Sequence, residues 1–313
     1  MNLDIHHSIT YVCLRLAGLD CQDSLLAANV SASLFEDVKR ARQLPEIMTL
    51  FSYVPGNCGL GRNEENDFPF THRLQATPDS PVMRDIIRRF RKEVNQENKL
   101  YLLGVMLYVY SNSWFNQGFC GIGHAINKAT HQEAFDADGQ AFFDFSVDYG
   151  THPAGNQCVD TLASVPFVSW SYRNAVDEKI VRDNPSEIMQ AANAMYRMIP
   201  YFLGQSSSLL GGNQIPLLEQ DSLRHLVANI RAIDPDERHK EWIKRIGKGT
   251  FSFGAEIARF RALQMDMEYY KAIGGYRTVA LSVLKSFKLN QFMGQTVTNV
   301  AHRSISNHVA QNA

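Results

Sequence analysis

LYLLGVMLYVYSNSWFNQGFCGIGHAIN, residues 100–127, is the stretch on which the reading of the whole chain turns. From Leu100 to Tyr110 every residue is apolar or glycine, the composition of a helix buried on nearly all sides. These eleven residues are too few to cross a bilayer, which takes about 20, so the stretch predicts a core helix. Tyr108, Asn112 and Asn116 fall at i, i+4 and i+8 and share one face of it. A phenol and two amides on such a face cost roughly 1–3 kcal/mol each if left without partners. They must be satisfied by one another, by backbone, by water or by a ligand. Gly118 supplies a stop just past the helix, and the turn that follows delivers His124. Two readings compete: a buried network that fixes helix packing, or the floor of a site. On this stretch alone the packing network is the stronger one, because amides are poor metal ligands and the face carries no strong base.

Outward from this helix, nearly every periodic segment reads helical. Ile9, Val12, Cys13, Leu16 and Leu19 form an apolar stripe closed by Gly18, and a second helix runs from Asp20 or Asp23 to about Arg42. Residues 52–78 are rich in Gly, Pro and Asn and predict a long surface loop. Ser80-Pro81 is a helix start, a cap followed by proline at the first helical position. That helix turns Ile86, Ile87, Phe90 and Val94 inward. Its basic residues (Arg84, Arg88, Arg89, Arg91 and Lys92) suit a solvated face better than a phosphate site. Within QAFFDFSVDYGTH, residues 140–152, a short strand pair is credible, and nowhere else, though its phenylalanines equally suit a loop packed on the core. Asn184, Pro185 and Glu187 repeat the cap, proline and acid pattern of a helix start. Residues 204–216 read as a connector and a soft boundary. Further helices are expected around Leu223–Ile233, from Asp234-Pro235 to Gly247, and over 255–271 and 276–293, with a frayed tail at 304–313. The count is roughly nine or ten helices in a single all-α domain spanning 1–313.

The 313 residues carry a formal net charge of −1, so no global basic field argues for nucleic acid. Five cysteines without a Cys-x-x-Cys pair suit free thiols in a reducing compartment. The N-terminal MNLDIHHSITY has an acid at position 4 and no basic segment leading into an apolar one. A cytoplasmic protein without a membrane span is therefore expected. The ten histidines form no His-Glu-x-x-His, and neither Gly-x-Ser-x-Gly nor a phosphate-binding Gly-rich loop occurs. The acids and imidazoles left as candidates are Asp4, His6, His7, Asp37, His124, His152 and Asp160. Such groups can build a zinc site from separate helices, but each alone reads more simply as a cap, a surface or a loop residue.

Three blocks carry a resemblance: MNLDIHHSITYVCLRLAG, LGVMLYVYSNSWFNQGF and DYGTHPAGNQCVDTLASVPFVSWSYRN. Together they cover roughly the first 185 residues and look like an uncharacterised bacterial family of all-helical proteins. That family is in turn distantly similar to zinc-dependent phospholipase C and the single-strand nucleases of the P1 nuclease type. In its pattern the central helix reads LGxxLHxYADTWAHQGF, with His, Asp and His as metal ligands on one face. Tyr108, Asn112 and Asn116 stand at those places here. Phe51-Ser52-Tyr53-Val54-Pro55-Gly56 stands where the pattern has FHFLPG, so Ser52 replaces another histidine. Asp4 and His6 match the N-terminal motif, His124 and His152 the later histidines, and Asp37 lies near an acid of the second helix.

The resemblance therefore implies an all-α, single multi-helix domain of the phospholipase C and P1 nuclease type. It also implies a metal site with four ligand positions lost (Ser52, Tyr108, Asn112 and Asn116). Neutral Asn lacks a carboxylate's charge, and Tyr with a pKa near 10 is a poor zinc ligand. The remnant ligands would be Asp4, His6, Asp37, His124 and His152. The expectation is a protein that binds no zinc or binds it weakly and recognises a protein or small ligand. The alternative is a phosphoester hydrolase that keeps a reduced metal site.

Overall fold

The computed structural model describes residues 3–40, 52–54, 56, 75–121, 127–142, 162–209 and 211–255, apart from the side chains of 35–40. A π-helix, Asp4–Ile9, runs directly into α1, Thr10–Leu16. Then come α2, Cys21–Arg40, α3, Pro81–Lys92, and α4, Lys99–Phe115. Three strands follow: β1, Thr130–Phe135, β2, Ser169–Arg173, and β3, Lys179–Asp183. The described part closes with α5, Asn184–Phe202, α6, Leu217–Asn229, and α7, Pro235–Gly247.

Helix α4 is the core helix that its composition predicts. Every residue from Leu102 to Phe115 is buried, and α2, α5, α3 and the π-helix pack around it. The closest of these neighbours is α2. Its Asp23 faces Lys99 at one end, and its Ala27 and Val30 lie against Gly104 one turn on, so α2 and α4 run in the same direction. A Cβ on Gly104 would stand 2.5 Å from the Ala27 carbonyl oxygen and 2.7 Å from Val30 Cβ. Backbone cannot move aside as a side-chain tip can. Gly104→Ala is therefore expected to destabilise by about 1–3 kcal/mol through overpacking, despite a helix-propensity gain of up to about 1 kcal/mol. The midpoint of urea unfolding measures it, and an unchanged midpoint would mean that the two helices are not in this close contact.

Two helix starts follow the sequence closely. The Ser80 side chain accepts from the Met83 N–H at 3.1 Å, with Pro81 beginning α3. Asp234 accepts from the N–H groups of Asp236 and Glu237 at 2.8 and 2.9 Å, with Pro235 beginning α7. At α5 the cap position is Asp183, and Asn184 turns inward instead. Its amide accepts from Trp170 Nε1 at 2.9 Å and donates to the carbonyls of Leu162 and Val165 at 2.7 and 2.8 Å. It ties the sheet to the turn before β2.

The strands form an antiparallel sheet in the order β1-β2-β3, with Ala134 opposite Trp170 and Trp170 opposite Arg182. Trp170 and Tyr172 project to one side, where Phe119, Phe167 and Val168 complete a second apolar cluster beside the helical core. This sheet corrects the all-α expectation: the fold is mixed α/β, and the assignment to an all-helical phospholipase C and P1 nuclease type goes with it. The physical reason lies in the strands themselves. They are five or six residues long, and β1 and β3 each bury a single residue, Ala134 and Arg182. Alternation that short and that polar leaves no periodic signal. The sheet stands on segments where no strand was expected, and most of 140–152, where a strand pair was expected, lies outside the described residues. Ala141 only bridges Phe135, and the helices expected over most of 255–293 lie outside the described residues as well.

Arg182 joins the two layers. It reaches from β3 across the end of α4, donating to the carbonyls of Trp114 at 2.9 Å, Phe115 at 3.3 Å and Gln117 at 3.1 Å. Its Nε and Nη2 grip both Glu187 oxygens, at 2.5 and 2.6 Å. Orphan carbonyls at a helix end are thus satisfied by a buried fork rather than by water.

Candidate functional site

The polar stripe of α4 points inward. Tyr108 and Asn112 are fully buried and Asn116 nearly so. Opposite lies the π-helix, where Ile5 and Ile9 join the helical core while Asp4, His6, His7 and Ser8 are buried alongside them. The Ile5 carbonyl accepts the Thr10 backbone N–H, the bond across five residues that marks a π turn, and also accepts from Thr10 Oγ1 at 2.8 Å.

Four of the residues singled out from sequence converge. Tyr108 Oη and Ser52 Oγ share a hydrogen bond of 3.0 Å. Asn116 Nδ2 donates to the Ser52 carbonyl at 2.6 Å. The His6 ring tilts against the Tyr108 ring with centroids 4.8 Å apart, and Ser111 Oγ stands 3.5 Å from His6 Nδ1. Burial pushes His6 down to about 3, so it is a neutral imidazole at pH 7. Asn112, the middle member of the stripe, differs: neither end of its amide finds a hydrogen-bond partner among the described residues.

Asp4 belongs to a separate arrangement. Arg238 Nε donates to its Oδ2 at 2.7 Å, and both side chains are almost entirely buried. The second oxygen, Oδ1, has no partner among the described residues. Burial raises the Asp4 carboxyl to about 6, and the Arg238 charge and hydrogen bond offset only part of that rise. Beside it, His7 and the half-buried His239 meet edge to face with centroids 4.7 Å apart, and Ser8 Oγ lies 3.1 Å from His239 Nδ1. Burial lowers both imidazoles, His239 to about 4 and His7 well below its ordinary value.

Of the five expected remnant ligands, Asp4 and His6 are therefore placed. Asp37 lies on α2 with its side chain outside the described residues, and His124 and His152 lie outside them altogether. Among the described residues no three His, Cys, Asp or Glu side chains are grouped so as to hold a metal ion. A zinc ion on Asp4 would also meet the guanidinium already there. A divalent ion ~5 Å from that charge is repelled by ~7 kcal/mol at an effective dielectric constant of about 20. The placed residues do not fit zinc. Sequence reading missed Arg238 and His239 because PDERHKEWIKR has the composition of a solvated helix face. The signal present was the strong cap at Asp234, which fixes where α7 starts but not which of its charges turns inward.

A surface cleft of about 680 Å³ opens elsewhere, where the α1–α2 turn, the α3–α4 turn and the end of α5 meet. Asp20, Asp23, Lys99 and Gln205 line it over an apolar floor that includes Leu19 and Leu203. No helix among the described residues is long and apolar enough to cross a membrane.

A family model described as "Family of unknown function (DUF6765)" matches residues 27–296, and the chain belongs to that family. No curated protein and no solved structure matches it.

Proposed function

We propose that this protein acts by binding a protein or small ligand, and that its polar centre keeps the outline of a zinc phosphoesterase site without the chemistry. One observation carries the reading: the Asp4 carboxylate is engaged by Arg238. Metal-assisted hydrolysis needs a cation that lowers the pKa of a bound water and clamps the phosphoryl oxygens. A guanidinium has no vacant coordination position and cannot activate water in that way. Two of the three stripe residues that would complete a ligand set, Tyr108 and Asn116, are instead tied to Ser52. The surface cleft between α1, α3 and α5 supplies a concavity that a small ligand could enter.

The competing reading is a hydrolase with a reduced metal site made of Asp4, His6, His124 and His152. It requires Asp4 to exchange Arg238 for a metal. Elemental analysis of the dialysed protein, paired with an assay on bis-p-nitrophenyl phosphate, separates the two. The expected result is less than one zinc per chain and no turnover above the uncatalysed rate. One tightly held zinc per chain, with turnover that a chelator abolishes, would establish the hydrolase and end the binding reading.

A further inference from the structure

Arg238 is surrounded by oxygen. Besides Asp4 Oδ2, its Nη1 donates to the carbonyls of Ala232 and Ile233 at 2.9 and 2.6 Å, and its Nη2 donates to the Ser164 carbonyl at 3.4 Å. One carboxylate and three carbonyls thus converge on one cation, from the π-helix, the turn before β2 and the segment leading into α7. This is the donor class that oxygen-seeking divalent cations take, arranged here around a planar fork of fixed charge. The contact links positions 4 and 238 across most of the described chain.

We infer that Arg238 is a built-in cation, holding the place against Asp4 that a divalent metal would otherwise occupy, so that the fold carries its own structural counter-ion. A metal that organises a fold is lost to chelators and leaves the chain unfolded. A cation covalently part of the chain is not. Stability of the parent is then independent of metal and of chelator, whatever ligand the protein binds. The inference shares the Asp4–Arg238 contact with the binding reading, and rescue by an added cation tests that contact apart from any ligand the protein binds.

The test removes the cation and returns it from solution. Arg238→Ala leaves a cavity with the shape and acceptors of a guanidinium. Its melting temperature is expected to fall, and millimolar methylguanidinium should restore part of it. At a concentration tenfold above Kd the rise should be about 2 °C. The parent should show no such rise, and neither EDTA nor zinc should move its melting temperature. A second set of variants covers the case in which Arg238→Ala does not fold: Asp4→Asn, Arg238→Gln and the double variant Asp4→Asn/Arg238→Gln. If the two groups act as ion and counter-ion, the double variant loses less than the sum of the singles. The inference is overturned by additive losses, by methylguanidinium acting equally on parent and variant, or by zinc stabilising the chelator-treated parent.

Discussion

Replacing Arg182 by alanine is expected to cost about 3–5 kcal/mol, because it strands the buried Glu187 carboxylate without its counter-charge. It also strips the carbonyls of Trp114, Phe115 and Gln117 of their donor at the end of α4. The guanidinium lies 5.3 Å from the centre of the Trp170 ring, so packing is lost along with charge. Arg182 and Glu187 are both largely buried as side chains, at 3% and 10% exposure, which keeps solvent from screening the loss. In thermal terms the drop should be roughly 5–8 °C. Glu187→Ala should lose a similar amount, since it leaves the guanidinium facing only carbonyls. The double variant Arg182→Met/Glu187→Leu should recover much of either loss, because a buried ion pair replaced by apolar groups of similar size is often close to neutral. Urea unfolding followed by tryptophan fluorescence reports directly, with Trp170 and Trp114 beside the fork. An Arg182→Ala protein within 1 kcal/mol of the parent would show that β3 does not fasten the sheet to α4 and α5.

Acid is expected to destabilise the fold steeply between about pH 6 and pH 4. His6, at about 3, and His239, at about 4, stay neutral in the folded state well below the value near 6.5 at which they protonate when unfolded, and His7 behaves alike. Each of these depressed imidazoles contributes stability that is complete above pH 6.5 and lost as pH falls. Asp4 works the other way. Raised to about 6 in the fold and near 3.8 when unfolded, it takes its proton earlier in the folded state, so acidification favours folding through this one group. Across the window the unfolded state therefore binds a net two protons more. Stability should fall by roughly 2.7 kcal/mol per pH unit. Urea midpoints at half-unit pH intervals would trace the slope. His239→Gln should lower it by about one proton, or ~1.4 kcal/mol per pH unit. A flat profile from pH 6.5 to 4.5 would mean that these imidazoles are hydrated in the folded protein, and the buried polar centre would be misdrawn.

Much of this architecture was legible one element at a time. The apolar run of α4 required a buried helix. Ser80-Pro81 and Asp234-Pro235 marked two helix starts through chemistry contained within four residues. That Tyr108, Asn112 and Asn116 share a face followed from helical spacing, and their inward direction from the apolar flanks of the helix set beside the family pattern. Asn184 shows where local chemistry fails. It has a good capping residue's side chain next to a proline, yet its amide is claimed by Trp170 and by two carbonyls about twenty positions earlier. The sheet was missed for a related reason. Strands as short as β1, β2 and β3 are stabilised mainly by their pairing partners and by Tyr172 packing on Phe119, and neither the partner strands nor Phe119 falls within a five-residue window.

By itself the sequence determined the helical scaffold, the burial of a polar stripe on its central helix, and the absence of charged ligands from that stripe. These are consequences of local periodicity and side-chain chemistry. Only the tertiary structure decided that the protein is mixed α/β, that Arg182 closes the end of α4, and that Arg238 meets Asp4. The physical reason is that a helix's period says which side chains share a face but not what lies opposite that face. A buried charge must find its partner wherever the chain brings one, and for Asp4 that partner lies 234 positions away.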